Sequence, residues 1–161
     1  MRVLSYYGLS AAIFAVDRLT KSFIESRFSA FDTHTVIPGF FDIVHARNPG
    51  AAFSMFADST SPWRPVLLIG VSLAALALVA VILRNATRLD RPTAIGLSLI
   101  LGGALGNVFD RIMTGAVTDF LDFYIGDLHW PAFNVADSAI VIGSGLLLIS
   151  MLRPKQQPAD A

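Results

Sequence analysis

Residues 65–83 read PVLLIGVSLAALALVAVIL, a run without a single charged side chain. A helix rising 1.5 Å per residue needs about 20 mostly apolar residues to cross ~30 Å of hydrocarbon. This run therefore predicts a membrane-spanning helix, and similar runs lie on either side of it. Residues 92–109 are again uncharged and end at Asp110-Arg111. Residues 131–152 are apolar apart from Asn134 and Asp137 and a few small hydroxyl residues. At the N-terminus, Val3 to Val16 is apolar, and the helical pattern continues through Leu19, Phe23 and Ile24, interrupted by Asp17 and Lys21. A cleavable leader would place small residues after the apolar run. Asp17-Arg18-Leu19 stands there instead, so this span is expected to be retained. The predicted fold class is all-α integral membrane. It has four transmembrane helices, approximately 3–24, 65–83, 92–110 and 131–152, in a single membrane domain over residues 1–161.

Composition agrees. Hydrophobic residues make up 54% of the 161, charged residues 15%, and the mean hydropathy is +0.62. A soluble domain carries about 25% charged residues. The shortfall excludes a disordered chain and weighs against an ordinary soluble enzyme. Twelve Lys+Arg balance twelve Asp+Glu, whereas a nucleic-acid binder needs a basic excess. The absence of cysteine excludes disulfides, thiol nucleophiles and thiolate metal sites.

The charges are unevenly placed. Arg2, Arg84, Arg88, Arg91, Arg153 and Lys155 are dense in short segments at span ends. Arg18, Lys21, Arg27, Arg47, Arg64 and Arg111 are spread over far longer stretches on the other side. The positive-inside rule then puts both termini in the cytoplasm. All acids except Asp90 and Asp160 gather at or near the opposite, outer face. The outer-face loop, approximately 26–61, carries a small β/helical element. Val36-Ile37, a Pro38-Gly39 turn and Phe40 to Val44 read as a hairpin, Asn48-Pro49-Gly50 as a turn, and residues 51–56 as a short amphipathic helix. Its many aromatic residues favour the membrane interface. The loop from 110 to 130 is shorter and acidic.

Polar residues are most informative where they are costly. A carboxylate inside a bilayer costs from ~2.5 kcal/mol upward. Asp137 lies near the outer end of the last span, with Asn134 three residues earlier on a neighbouring part of the same face. Both could simply join helices or cap a helix start. Asp119 precedes Asp137 by a loop short enough to return the chain to the same membrane face, so the two carboxylates can meet. Close carboxylates raise one pKa, and a pair with one proton can activate water and protonate a leaving amine. Asp17 and Lys21, four apart, share a helix face and can pair. Asp110-Arg111 reads equally well as a surface ion pair. His34, His45 and His129 lack a His-Glu-x-x-His pattern and read as loop or interfacial residues. Gly143-Ser144-Gly145 sits deep in a span and lacks the pattern of a nucleophile elbow, so helix packing explains it better. Gly102-Gly103-Ala104-Leu105-Gly106 has the small-residue spacing of close helix contact. Lys21 could serve a Ser–Lys dyad, but nothing names its serine.

Several blocks together resemble one family. Asp17-Arg18-Leu19-Thr20-Lys21 fits Asp-x-x-x-Lys. Asn48-Pro49-Gly50-Ala51-Ala52-Phe53 fits Asn-x-Gly-Ala-Ala-Phe. Residues 102–111 fit Gly-Gly-Ala-x-Gly-Asn-x-x-Asp-Arg. Val117 to Asp122 fits Val-x-Asp-Phe-x-Asp, and Phe133 to Asp137 fits Phe-Asn-x-Ala-Asp. The chain resembles the lipoprotein signal peptidases (bacterial signal peptidase II) over nearly its whole length. The resemblance implies an intramembrane aspartic endopeptidase of the bacterial inner membrane, with its site near the periplasmic face. It implies diacylglyceryl-modified prolipoproteins as substrates, cut on the amino side of the lipidated cysteine. Matching positions would make Asp119 and Asp137 the catalytic dyad. Asn48, Gly50, Asn107, Arg111 and Asn134 would line the site, and Asp17, Lys21 and Asp110 would hold its geometry. No metal, cofactor or nucleic acid is expected, and the enzyme is expected to work as a monomer among membrane lipids. The rival readings are a small proton- or ion-coupled transporter using the intramembrane acids, and a membrane scaffold. A relay should cross the bilayer, yet the cytoplasmic half of every span reads as apolar.

Overall fold

The computed structural model describes residues 2–50 and 63–152. Along the chain run α1 (Arg2–Arg27), β1 (Thr33–Ile37), β2 (Phe41–Asn48), α2 (Arg64–Leu83), a 3-10 turn (Ala86–Arg88), α3 (Arg91–Thr114), β3 (Val117–Ile125), β4 (Leu128–His129) and α4 (Val135–Leu152). Among the described residues, three stretches are long and apolar enough to cross a membrane: Val66–Leu83 in α2, Arg91–Thr114 and Val135–Leu152. α1 has 26 residues, so its length also suffices, but its charged residues set it apart from the other three.

α3 is the central helix, packing against α1, α2 and α4. Its start is capped by the Asp90 side chain, which accepts from the Thr93 N–H. Pro92 sits in the first turn, where the missing N–H costs nothing. Its end is set by Gly115, whose φ of 75° is a left-handed conformation that favours glycine. Small residues bring the backbones together. A Cβ on Gly96 would lie 2.7 Å from the Gly143 carbonyl oxygen of α4, and one on Gly102 would lie 2.5 Å from the Ser10 carbonyl oxygen of α1. A Cβ on Gly103 would collide with the Ala136 carbonyl. The glycine runs of α3 and α4 thus act in helix contact. Gly145 is different: apart from its own turns of helix backbone, no described atom comes within 4 Å of the position its Cβ would take. Leu76, Leu83, Ala94, Leu97, Leu101 and Val108 form the buried apolar core between α2 and α3.

The four strands make one antiparallel sheet in the order β1-β2-β3-β4. The hairpin expected around Pro38-Gly39 is present. Thr33 pairs with Val44, and Gly39 turns with a φ of 77°. The helix expected at 51–56 lies outside the described residues. The segment 110–130, read as an acidic loop, requires a correction. α3 continues through it to Thr114, and then β3 pairs with β2 in the register Phe41↔Phe123, Ala46↔Asp119 and Asn48↔Val117. Two aspartates conceal a strand whose stability comes from a distant partner. α4 likewise begins at Val135, later than Pro131. Residues 131–134 run alongside β3 instead, where the Phe133 N–H donates to Leu121 O and Phe133 O accepts from Phe120 and Leu121. Phe123 stacks on Phe41 and Phe133 at 4.6 and 5.9 Å between centroids. This aromatic stack fixes the sheet against the start of α4.

Candidate active site

The beginning of α4 builds the first half of the site. Asn134 is its N-cap: the side-chain Oδ1 accepts from the Asp137 N–H at 2.9 Å, and Asp137 Oδ2 accepts from the Asn134 N–H at 3.3 Å. This reciprocal pair satisfies two donors at a helix end that would otherwise lack partners. A third, the Ala136 N–H, donates to Asp17 Oδ1 at 2.9 Å. Capping, the plainer reading of Asn134 and Asp137, is therefore realised. It still leaves Asp137 Oδ1 free to accept from Asn107 Nδ2 at 2.7 Å. Asp137 lies in the first turn of α4, closer to the helix end than a count from Pro131 implies.

β3 supplies the second half. Asp119 is 3% exposed. Its Oδ1 accepts from Asn134 Nδ2 at 2.7 Å and its Oδ2 from Asn48 Nδ2 at 3.1 Å. Asn48 closes β2, whose pairing with β3 brings it there. Asn134 thus bonds to both carboxyl groups. Burial pushes the Asp119 carboxyl up from 3.8 to about 7, helped by the charge of Asp137 and opposed by the hydrogen bonds from Asn48 and Asn134 and by the charge of Lys21.

Behind the pair lies a buried ionic cluster. Lys21 Nζ is 2.9 Å from Asp17 Oδ2, 2.7 Å from Asp110 Oδ2 and 3.0 Å from Asn107 Oδ1. Arg18 also pairs with Asp110 and lies over the Phe109 ring. Gly106 leaves room for this cluster, because a Cβ there would strike the Asp17 carboxylate. Asp110 and Arg111 do not pair as a surface couple. Asp110 faces Lys21 and Arg18, while Arg111 donates to Asn107 O at 3.2 Å and Gly50 O at 3.0 Å. The Gly50 N–H in turn donates to Asn48 Oδ1 at 3.0 Å.

All ten residues singled out by sequence therefore fall in one connected network. The sequence reading missed Arg18 and Thr118. Arg18 lies inside the Asp-x-x-x-Lys block, and its i+3 spacing to Lys21 was the available signal. Thr118 offers its carbonyl to Asn134 Nδ2 at 3.3 Å and its hydroxyl to Glu25 at 2.7 Å, contacts that no local pattern encodes. The histidines lie elsewhere: His129 stacks on Tyr124 and bonds to Asp122, and His45 bonds to Phe28 O.

A cavity of about 870 Å³ opens between α2, α3 and α4. Its walls are mainly apolar, including Val71, Ala75, Ala104 and Val141, and both Asp119 and Asp137 reach it. Carboxyl groups with fixed amide donors beside an apolar cavity can move protons to and from a bound apolar ligand.

This is the architecture of a membrane enzyme. A solved structure described as a bacterial membrane enzyme, obtained by the in meso method at 2.3 Å, superimposes with a TM-score of 0.83. It is 27% identical and covers 98% of this chain and 94% of its own. The sequence model described as Signal peptidase (SPase) II matches residues 9–153. The lipoprotein signal peptidase of Solibacter usitatus is 60% identical over 154 residues, 96% of this chain and 94% of that protein. That of Maridesulfovibrio salexigens is 40% identical over 147 residues, 91% and 94% respectively. The chain belongs to the signal peptidase II family, a family of peptidases.

Proposed function

We propose that this protein is an intramembrane aspartic endopeptidase that removes the signal peptide from diacylglyceryl-modified prolipoproteins, cutting on the amino side of the lipidated cysteine. The observation that carries this reading is the position of Asp119 and Asp137. They share Asn134 as a neighbour and both border an apolar cavity. Asp119, raised to about 7 by burial and by the Asp137 charge, is suited to hold the proton that the pair shares. The Asp137 carboxylate takes a proton from water as the water oxygen bonds to the scissile carbonyl carbon. Asp119 donates its proton to the carbonyl oxygen, giving a neutral gem-diol. The C–N bond then breaks. The departing cysteine amine takes the proton held by Asp137, and Asp119 recovers one from the diol as the acid product forms. Water is consumed, and both side chains return to their starting state.

The cavity between α2, α3 and α4 would receive the apolar substrate from the bilayer. α1 acts as the fourth span in this reading, both termini are cytoplasmic, and the dyad lies near the periplasmic face of the inner membrane. The transporter reading gains no support from the buried acids. Asp17 and Asp110 are tied to Lys21, and Asp17 also caps α4.

The test is processing of a lipidated prolipoprotein by purified protein, followed by gel shift. Asp119→Asn and Asp137→Asn are each expected to abolish cleavage while the protein still inserts. Native activity in either variant would overturn the dyad.

A further inference from the structure

Three asparagine amides face the carboxyl pair, and each is oriented by a group that can only donate. The Gly50 N–H holds Asn48 Oδ1, leaving Asn48 Nδ2 for Asp119. The Asp137 N–H holds Asn134 Oδ1, leaving Asn134 Nδ2 for Asp119. In both cases the orienting group is backbone, fixed by the fold itself. Asn107 differs, because its orienting groups are side chains: Lys21 is the nearer, and Asn134 Nδ2 also donates to Asn107 Oδ1 at 3.3 Å. Lys21 Nζ lies 3.0 Å from Asn107 Oδ1, and Asn107 Nδ2 lies 2.7 Å from Asp137 Oδ1. An ammonium has donors and no acceptor. Turning the Asn107 amide over would set its NH₂ against the ammonium and its oxygen against a carboxylate.

The ammonium geometry points the same way. Lys21 is fully buried. Its Nζ lies 2.9 Å from Asp17 Oδ2, 2.7 Å from Asp110 Oδ2 and 3.0 Å from Asn107 Oδ1, so its three donors meet three acceptors. The two carboxylates offset the cost of burying the charge. The third donor goes to the amide.

We propose that Lys21 is a positioning residue for the dyad, acting through the Asn107 amide to hold the Asp137 carboxylate in its reactive orientation. The inference rests on the aspartic-dyad reading and adds a route by which a buried cation serves it. An ammonium employed only as counter-charge to Asp17 and Asp110 would not require the amide in between.

The test compares two neutral replacements of similar length. Lys21→Met has no donor, whereas Lys21→Gln keeps an N–H, one bond nearer the backbone than the ammonium, on the side of Asn107 Oδ1. kcat and KM are measured on a diacylglyceryl-modified prolipoprotein, with thermal unfolding followed in parallel. Lys21→Met is expected to lower kcat on the order of 100-fold, the scale of a misplaced catalytic group, with KM little changed. Lys21→Gln is expected to regain a large part of that loss. In an Asn107→Ala background, Lys21→Met should have little further effect on kcat, because the two residues act in series. Equal kcat for the Gln and Met variants, or an undiminished Met effect without Asn107, overturns the proposal. Should the unbalanced carboxylates prevent folding, the same pair is compared in an Asp17→Asn background, where Arg18 still holds Asp110, and the same criterion decides. A wild-type protein that fails to cleave overturns the functional reading itself, an outcome distinct from equal Gln and Met rates.

Discussion

Asp119→Asn changes stability in a direction that depends on pH, and the size of the effect follows from one buried carboxyl group. In the folded protein Asp119 is 3% exposed, and its pKa is raised from 3.8 to about 7. Between those values the folded chain holds a proton that the unfolded chain has lost. Stability therefore falls as pH rises through this window. The contribution is fully present below the unfolded pKa and is gone above the folded one. Linkage puts the loss between pH 5 and pH 8 at about 3 kcal/mol. Asparagine removes that slope. It also introduces a mismatch, because its own NH₂ must face the amide NH₂ of Asn48 or Asn134, at ~1–3 kcal/mol. The variant should thus be less stable than the parent at pH 5, with the gap closing or reversing by pH 8. At roughly 2–4 °C per kcal/mol for a chain of this size, the parent should lose about 6–12 °C of Tm relative to the variant over that range. Thermal unfolding in detergent micelles at several pH values, read by tryptophan fluorescence, provides the measurement. Groups that titrate alike in both proteins cancel in the difference. Parallel Tm–pH curves would refute the reasoning, because they would mean that Asp119 is ionised in the folded enzyme throughout.

Three further outcomes are expected. Gly143→Ala places a Cβ 2.5 Å from the Gly96 carbonyl oxygen and should cost ~1–3 kcal/mol as α3 and α4 separate. Gly145→Ala meets open space among the described residues and should gain up to ~1 kcal/mol of helix propensity; Tm shifts of the same sign would refute this packing. Ala75→Trp partly fills the cavity from the α2 side, away from the carboxyl groups. It should raise KM for the lipidated substrate, and steady-state kinetics with an unchanged KM would rule out this cavity as the substrate's place.

Parts of the fold were legible because they depend on local composition. The uncharged run at 65–83 becomes α2 (Arg64–Leu83), and the Pro38-Gly39 turn marks the β1–β2 hairpin. β3 was hidden because Val117–Ile125 contains two aspartates and is stabilised by β2, far away in sequence. The start of α4 was misplaced because Pro131, Ala132 and Phe133 are as apolar as the helix that follows. Their extended form comes from pairing with β3. At the site, Asp119, Asp137 and Asn134 stood out as polar residues in or beside apolar runs, whereas Asn48 and Asn107 were reached through the family resemblance. Asp110 and Arg111 were adjacent in sequence and so suggested a pair, but neighbours on a helix point in different directions. Each found its partners on other segments.

The sequence by itself determined the solvent. Apolar runs of spanning length are a local, additive property, and they require that the few charged groups between them have partners. It also determined which residues those were. Only the tertiary structure decided who pairs with whom. Lys21 reaches Asn107 across 86 positions, and Asn48 reaches Asp119 across 71. Whether an asparagine presents its oxygen or its NH₂ to a carboxylate depends on what stands on its other side. That is a fact of packing, and a linear chain does not carry it.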